Sequence, residues 1–156
     1  MAGGKWATTV ANLMKAMGCK TALDYGAGKG VLASKLRTAR LDIREYDPAV
    51  EGKDVKPSDT DRFDFIISTD VLEHIEPEYI DAVLDEMEKY MKVAGFFVIC
   101  LGPARKHWLK DGRNAHLLVR DRKWWNERLS KRWDVKELEG RGWKQREMVV
   151  LVTKKK

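Results

Sequence analysis

The chain has 156 residues, 44% hydrophobic and 35% charged, enough to bury a substantial core and polar enough to stay in water. No apolar run approaches the ~20 residues that cross a bilayer, the start Met1-Ala2-Gly3-Gly4-Lys5-Trp6 lacks a secretory apolar stretch, and two cysteines make no disulfide framework. These features exclude membrane-spanning and disulfide-scaffold classes, and they predict a single cytoplasmic domain over residues 1–156 with a basic tail at 154–156. The net charge of +6 is uneven: residues 1–101 carry 13 Lys and Arg against 17 Asp and Glu, whereas residues 102–156 carry 17 against 7. A basic final third suits either a solvated surface or an anionic partner.

In chain order, Trp6, Val10, Leu13, Met14 and Met17 recur three and four apart, which predicts a helix over 5–17. Residues 20–25 read as a first strand, and 29–38 as a helix carrying Val31, Leu32 and Leu36. Leu41 to Asp47 alternates apolar and polar as a half-exposed strand does, and Pro48 ends it. The polar stretch 49–61 has little periodicity, with a weak strand signal near Asp54–Lys56. Residues 63–69 read as a buried strand. Pro77 then opens a helix with Ile80, Val83, Leu84, Met87 and Met91 on its core face. Gly95 precedes a fifth strand at 96–101, where Cys100 is expected to be a small buried hydrophobe. A basic loop follows over 102–117, then a helix over 121–131, and strands at 133–138 and 143–153 paired through Glu139–Gly142. Alternation of strand and helix followed by a strand pair predicts an α/β fold: a doubly wound, mostly parallel sheet with an antiparallel edge strand and helices on both faces.

The run Leu23-Asp24-Tyr25-Gly26-Ala27-Gly28-Lys29-Gly30 places glycines at alternate positions after a strand. Glycine lets backbone approach a ligand closely, and the carboxyl end of a first strand is where α/β sheets hold nucleotide-like ligands. The dinucleotide spacing G-x-G-x-x-G fails, because Val31 stands where its last glycine belongs. A phosphate-cradling loop fails too, because Gly30 leads into Val31-Leu32 and not Lys-Ser/Thr. The run resembles the first motif of class I S-adenosylmethionine-dependent methyltransferases. That resemblance covers about residues 5–153 and implies their Rossmann-like sheet, with the stretch after the second strand shorter than usual. It also implies that Asp24, Tyr25, Gly26, Ala27, Gly28 and Gly30 hold the methionine end of the cofactor. Asp47, with Pro48 beside it, ends the second strand 21 residues after Gly26, where a carboxylate accepts ribose hydroxyls. Asp54 is a poor match for the adenine position; Ser68 and Thr69 are candidates for lining the cleft.

Asp70-Val71-Leu72-Glu73-His74-Ile75 resembles the fourth motif of small stand-alone members of this family, many acting on small molecules. It sets Asp70, Glu73 and His74 at the ligand edge of the sheet, Asp70 also beside the cofactor, and the loop after the fifth strand adds His116. These four are the candidate catalytic residues, as acceptor-positioning groups or, for a histidine, as general base. Two carboxylates and two imidazoles are also donors for a divalent metal. RNA 3′-terminal ribose methyltransferases resemble this set but begin it with Glu where this chain has Asp70, so no metal is assigned. Arg105, Lys106, Lys110 and Arg113 with Trp108 form either an anion- and base-binding loop or a mobile lid. Of Trp124 and Trp125, adjacent on a helix, one is expected in the core and the other at the substrate cleft; Trp133 and Trp143 are expected to pack on the sheet.

The resemblance implies an enzyme that transfers a methyl group from S-adenosylmethionine to a small-molecule acceptor. RNA or DNA ribose methylation through the basic third, and non-catalytic cofactor binding, stay open beside it. The N-P-P-Tyr/Phe-type motif of base-amine methyltransferases is absent, since Ser68-Thr69-Asp70-Val71 stands in its place. Oligomeric state is not legible.

Overall fold

A computed structural model of the chain describes residues 2–140, 143 and 145–156. It contains one six-stranded sheet in the order β2-β1-β3-β4-β6-β5. The strands are β1 (Thr21–Tyr25), β2 (Asp42–Tyr46), β3 (Phe63–Thr69), β4 (Met91–Cys100), β5 (Trp133–Glu137) and β6 (Glu147–Lys154). The first four run parallel. β6 runs antiparallel to β4, and β5 antiparallel to β6, so the closing hairpin turns back on itself and leaves β5 at the edge. The helices are α1 (Ala7–Ala16), α2 (Val31–Thr38), α3 (Ile80–Tyr90) and α4 (Arg122–Ser130).

Side-chain alternation along the strands sends neighbours to opposite faces, and both faces are covered. Phe65, Ile67, Phe96 and Val98 pack with Val10 and Met14 of α1 and with Leu32 and Leu36 of α2. Ile66, Phe97 and Ile99 pack with Ile80, Leu84 and Met87 of α3 and with Trp125 and Leu129 of α4. The central strands β3 and β4 are therefore near-continuous apolar runs, whereas β2 at the edge alternates exposed and buried residues. Asp121 starts α4 by accepting the Trp124 N–H at 2.9 Å. No helix among the described residues is long and apolar enough to cross a membrane.

Several expectations need correction. No strand lies near Asp54–Lys56; the stretch between β2 and β3 is turns and irregular chain, and β2 is an outer strand of the sheet. β4 begins at Met91, not after Gly95, so Met91 belongs to the sheet and not to the α3 face. Pairing of Phe63 with Met91 and of Ile66 with Gly95 draws the chain into the ladder, overriding the helical spacing of the methionine. The last strand starts at Glu147, and part of the turn before it, Arg141, Gly142 and Lys144, lies outside the described residues. Cys100 is not fully buried; it stands partly buried at the end of β4. Trp133 packs edge-on against Phe97 at 5.5 Å, and Trp143 packs on Trp6 at 5.0 Å.

Candidate active site

Four parallel strands bring their carboxyl ends to one edge of the sheet, where ligands bind in open α/β folds. After β1 the chain turns through Gly26, Gly28 and Gly30, with φ of 89°, 54° and 84°. Gly26 cannot be replaced without cost, because a Cβ there would overlap the Val71 side chain. At Gly30 a Cβ would come within 2.5 Å of Glu45 Oε1 and 2.9 Å of Lys53 Nζ. Gly28 has nothing within 4 Å of where a Cβ would stand, so the space beside it is open. We expect Gly26→Ala to lower stability by about 2–5 kcal/mol, from left-handed strain plus overpacking. Thermal unfolding of the variant against wild type measures it.

The turn borders a cleft of about 170 Å³ lined also by Gly3, Asp24, Thr69 and Asp70. The short 3-10 turn Ala2–Trp6 supplies Gly3, a contribution the sequence does not signal. Asp24 is 2% exposed. Burial pushes its carboxyl up to about 7, with Glu45 adding to the rise and Lys53 opposing it. A cationic group placed in the cleft would restore its charge. Asp47 accepts the Gly28 N–H on Oδ2 at 2.9 Å and the Ala49 N–H on Oδ1 at 2.9 Å. Lys53 Nζ donates to the Gly28 carbonyl at 2.9 Å and to Glu45 Oε1 at 2.8 Å. The loop is thus braced at both its N–H and its carbonyl. Burial would raise the Glu45 carboxyl, but hydrogen bonds from Lys53 and Arg37 outweigh it and hold it below its ordinary value. Glu45 and Lys53 are invisible to sequence reasoning, because Lys53 arrives from an aperiodic stretch.

Two expected cofactor residues point elsewhere. The Tyr25 side chain turns into the α3 core, edge-on to Tyr46 at 5.3 Å, and its hydroxyl donates to Glu86 at 3.4 Å. Pro48 is exposed and does not line the cleft. Thr69 lines it, whereas Ser68 is wholly buried.

Asp70 also borders a second cavity of about 400 Å³, whose walls include Glu73, Cys100, Arg105, His107 and His116. Asp70 has a left-handed φ of 57°, a conformation that Asp tolerates better than most non-glycine residues, and its N–H donates to the Val98 carbonyl at 2.9 Å. Glu73, in the 3-10 turn Leu72–His74, is 0% exposed, and neither carboxylate oxygen has a hydrogen-bond partner. Burial pushes its carboxyl up to about 8, the nearby backbone N–H groups of Glu73 and Cys100 oppose the rise, and the Asp70 charge adds to it.

The chain after β4 folds into an ordered strap. Trp108 and Asn114 form a β-bridge, and the Asn114 amide binds both the N–H and the carbonyl of Ala104, at 2.9 and 2.8 Å. His116 Nδ1 donates to the Gly102 carbonyl at 2.7 Å, which leaves its Nε2 with the lone pair. His74 is not in the cavity. Its Nδ1 donates to the Ala115 carbonyl at 3.0 Å and its ring packs edge-on to His116 at 4.7 Å, so it braces the strap. Desolvation against the strap lowers the His74 pKa, with His116 adding to the fall. Asp70, Glu73 and His116 therefore converge, and His74 supports them from behind.

Arg113 is tied to Asp111 at 2.8 Å and Glu76 at 3.0 Å, and is not held free for a ligand. Trp125 is in the core, as one of the pair was expected to be; Trp124 lies outside the cavity, with the Arg128 guanidinium 4.7 Å over its ring. A larger cavity of about 430 Å³ at the β5–β6 hairpin, bordered by Arg122, Trp143 and Glu147, contains none of the candidate residues.

Residues 5–143 match the protein family described as Methyltransferase domain. The chain belongs to that family. Its strand order and glycine turn make it a class I, S-adenosylmethionine-dependent methyltransferase domain. Solved structures share the fold at low identity. The 1,6-didemethyltoxoflavin-N1-methyltransferase of Burkholderia thailandensis is 16% identical with a TM-score of 0.67, covering 99% of this chain and 79% of its own. Magnesium protoporphyrin IX methyltransferase of Synechocystis PCC 6803 is 13% identical at 0.70, covering 99% and 84%. The mitomycin 7-O-methyltransferase MmcR is 16% identical at 0.72, covering 98% of this methyltransferase domain but only 54% of its own chain. No curated protein matches the sequence.

Proposed function

We propose that this methyltransferase domain binds the methionine end of S-adenosylmethionine at the glycine turn and methylates a small-molecule acceptor in the adjoining cavity. The observation that carries this is Asp70, shared by the 170 Å³ cleft and the 400 Å³ cavity. The residues fit the cofactor: open space beside Gly28, and a buried Asp24 that awaits a cation such as the cofactor's ammonium. The cleft is smaller than the ~300–1,000 Å³ of a site enclosing a whole drug-sized ligand. It suits the amino-acid end, with the ribose lying against Asp47. Two similar folds belong to enzymes named for small molecules, 1,6-didemethyltoxoflavin and mitomycin, which supports this acceptor class.

When bound, S-adenosylmethionine supplies an electrophilic methyl group on a sulfonium. The protein contributes placement and a proton acceptor. Asp24 holds the ammonium, Asp47 accepts ribose hydroxyls, and Asp70 fixes the junction between the two cavities. His116 takes the acceptor's proton on Nε2 while its Nδ1–H stays on the Gly102 carbonyl, which orients the ring. The cavity wall mixes acidic Asp70 and Glu147 with basic Arg105 and Arg146, which favours a polar acceptor.

Calorimetric titration with S-adenosylmethionine and S-adenosylhomocysteine, followed by an acceptor screen, tests this reading; no binding to either compound removes it. Asp47→Ala is expected to weaken cofactor affinity roughly 10–100-fold with the fold retained, as loss of charged hydrogen bonds predicts. An unchanged affinity would return Asp47 to bracing the Gly28 turn alone.

A second reading, methylation of RNA or DNA, has one observation behind it. Trp108 is 67% exposed on the ordered strap, beside Arg105, Lys106 and Lys110. Salt-dependent binding of oligonucleotides would favour it. Cofactor binding without turnover on any acceptor would leave a binding protein.

A further inference from the structure

Glu73, Cys100 and His116 meet at one wall of the second cavity, although they come from the turn after β3, the end of β4 and the strap. One ligand atom from each, a carboxylate oxygen, a thiol sulfur and an imidazole nitrogen, lies within 4.8 Å of the other two. We propose that these three residues form a binding site for one borderline-soft divalent cation of the Zn²⁺ type, with its fourth position open to the cavity.

Three features of the geometry carry this. First, Glu73 is 0% exposed and neither of its oxygens has a hydrogen-bond partner, an arrangement a protein rarely keeps without a ligand to satisfy it. Second, one carbonyl orients both other ligands: Gly102 accepts from His116 Nδ1 at 2.7 Å and from the Cys100 thiol at 3.6 Å. The Nδ1–H to carbonyl bond is the usual support for a metal-binding histidine, and it leaves Nε2 for the metal. Third, the separations suit a small contraction. Bonds of ~2.0–2.3 Å put ligand atoms on a tetrahedral Zn²⁺ roughly 3.2–3.8 Å apart. An ion drawing in these atoms moves each by an ångström or so, within reach of rotamer adjustment. On ligation the Cys100 thiol gives up its hydrogen bond to Gly102, and both it and the Glu73 carboxyl release their protons to solvent.

The donor set decides the cation. A thiolate with an imidazole favours Zn²⁺ and its like, whereas Mg²⁺ and Ca²⁺ select oxygen ligands. Three protein ligands with one position open is the pattern of a site that also binds water or substrate. His74 has no part in it, since it does not line this cavity and is not among the three residues whose ligand atoms converge. The site stands on these residues; His116 serves as proton acceptor only in the metal-free chain, because an ion on Nε2 takes the lone pair that a base needs.

Titration of the purified, tag-free chain with Co²⁺, a spectroscopic substitute for Zn²⁺, tests the proposal without any turnover assay. The expected result is one Co²⁺ per chain, a near-ultraviolet sulfur-to-cobalt band, and displacement by one equivalent of Zn²⁺ but not by millimolar Mg²⁺. Cys100→Ala should abolish the band. Glu73→Gln and His116→Ala should each weaken binding by roughly 100-fold, the upper end of what even a supporting partner of a metal ligand is worth. Cys19→Ala, at the opposite end of β1, should change nothing. Cys100→Ser, which keeps a donor to the Gly102 carbonyl, replaces Cys100→Ala if the latter fails to fold by circular dichroism. No saturable binding to the wild-type chain, a band that survives loss of Cys100, or one that disappears with Cys19 would each overturn the site.

Discussion

Asp24→Asn is expected to abolish measurable cofactor binding, a loss of ~100-fold or more, while making the protein more stable at pH 8. Both effects follow from one buried carboxylate. Its ordinary pKa is 3.8 and burial lifts it to about 7 in the folded chain. The folded state therefore holds a proton that the unfolded state has already released between these values. Stability is full below about pH 4, falls as pH rises towards 7, and stays at its lower level above it. Asparagine cannot ionise, so the variant loses this decline and gains a few kcal/mol at high pH. The side chain of Glu73 contributes a similar decline up to about 8, which Asp24→Asn leaves in place. The binding loss reflects removal of one partner from a desolvated charge pair, which costs ~2–5 kcal/mol. Chemical unfolding of both proteins from pH 4 to 8, beside calorimetric titration at pH 8, reads the two effects. Equal slopes with pH, or unchanged affinity, would show that Asp24 is not the cation partner.

His116→Ala is expected to lower turnover by ~10²–10⁴-fold, the range for a positioned general base, with cofactor affinity unchanged. The split matters because His116 borders the second cavity and not the glycine-turn cleft. His74→Ala should do less, since His74 acts through the strap by its bond to Ala115. A readout that a merely structural role would not move is the split between kcat and binding: His116→Ala should lower kcat with cofactor affinity and thermal stability unchanged, whereas His74→Ala should lower thermal stability along with kcat. Wild-type rates in His116→Ala would return that residue to holding the Gly102 carbonyl.

Much of the cleft at the glycine turn was legible in the chain, because it is built from consecutive residues. Asp24 and the glycines 26, 28 and 30 follow one strand, and backbone geometry alone makes them a turn. The second cavity was legible only in part. Asp70 and Glu73 share a motif, and the topology sends the loop bearing His116 to the same edge, but nothing local separates His116 from His74. A hydrogen bond to Gly102 turns one imidazole toward Glu73, and a bond to Ala115 turns the other away. Cys100 went unread as a site residue because its neighbours are apolar. Its position at the carboxyl end of a parallel strand was the available signal.

Local pattern also misplaced structure where pairing competes with periodicity. Met91 fits the α3 spacing yet opens β4, since the ladder with Phe63 captures it. What the sequence by itself determined is the α/β order, the two buried sheet faces and the glycine turn, because these depend on periodicity and on φ at single residues. What only the tertiary structure decided is the company each polar group keeps. Lys53 on the Gly28 carbonyl, Asp70 between two cavities, and a carboxylate, a thiol and an imidazole drawn to one wall all depend on long-range packing. Contacts between residues tens of positions apart leave no periodicity in the chain to read.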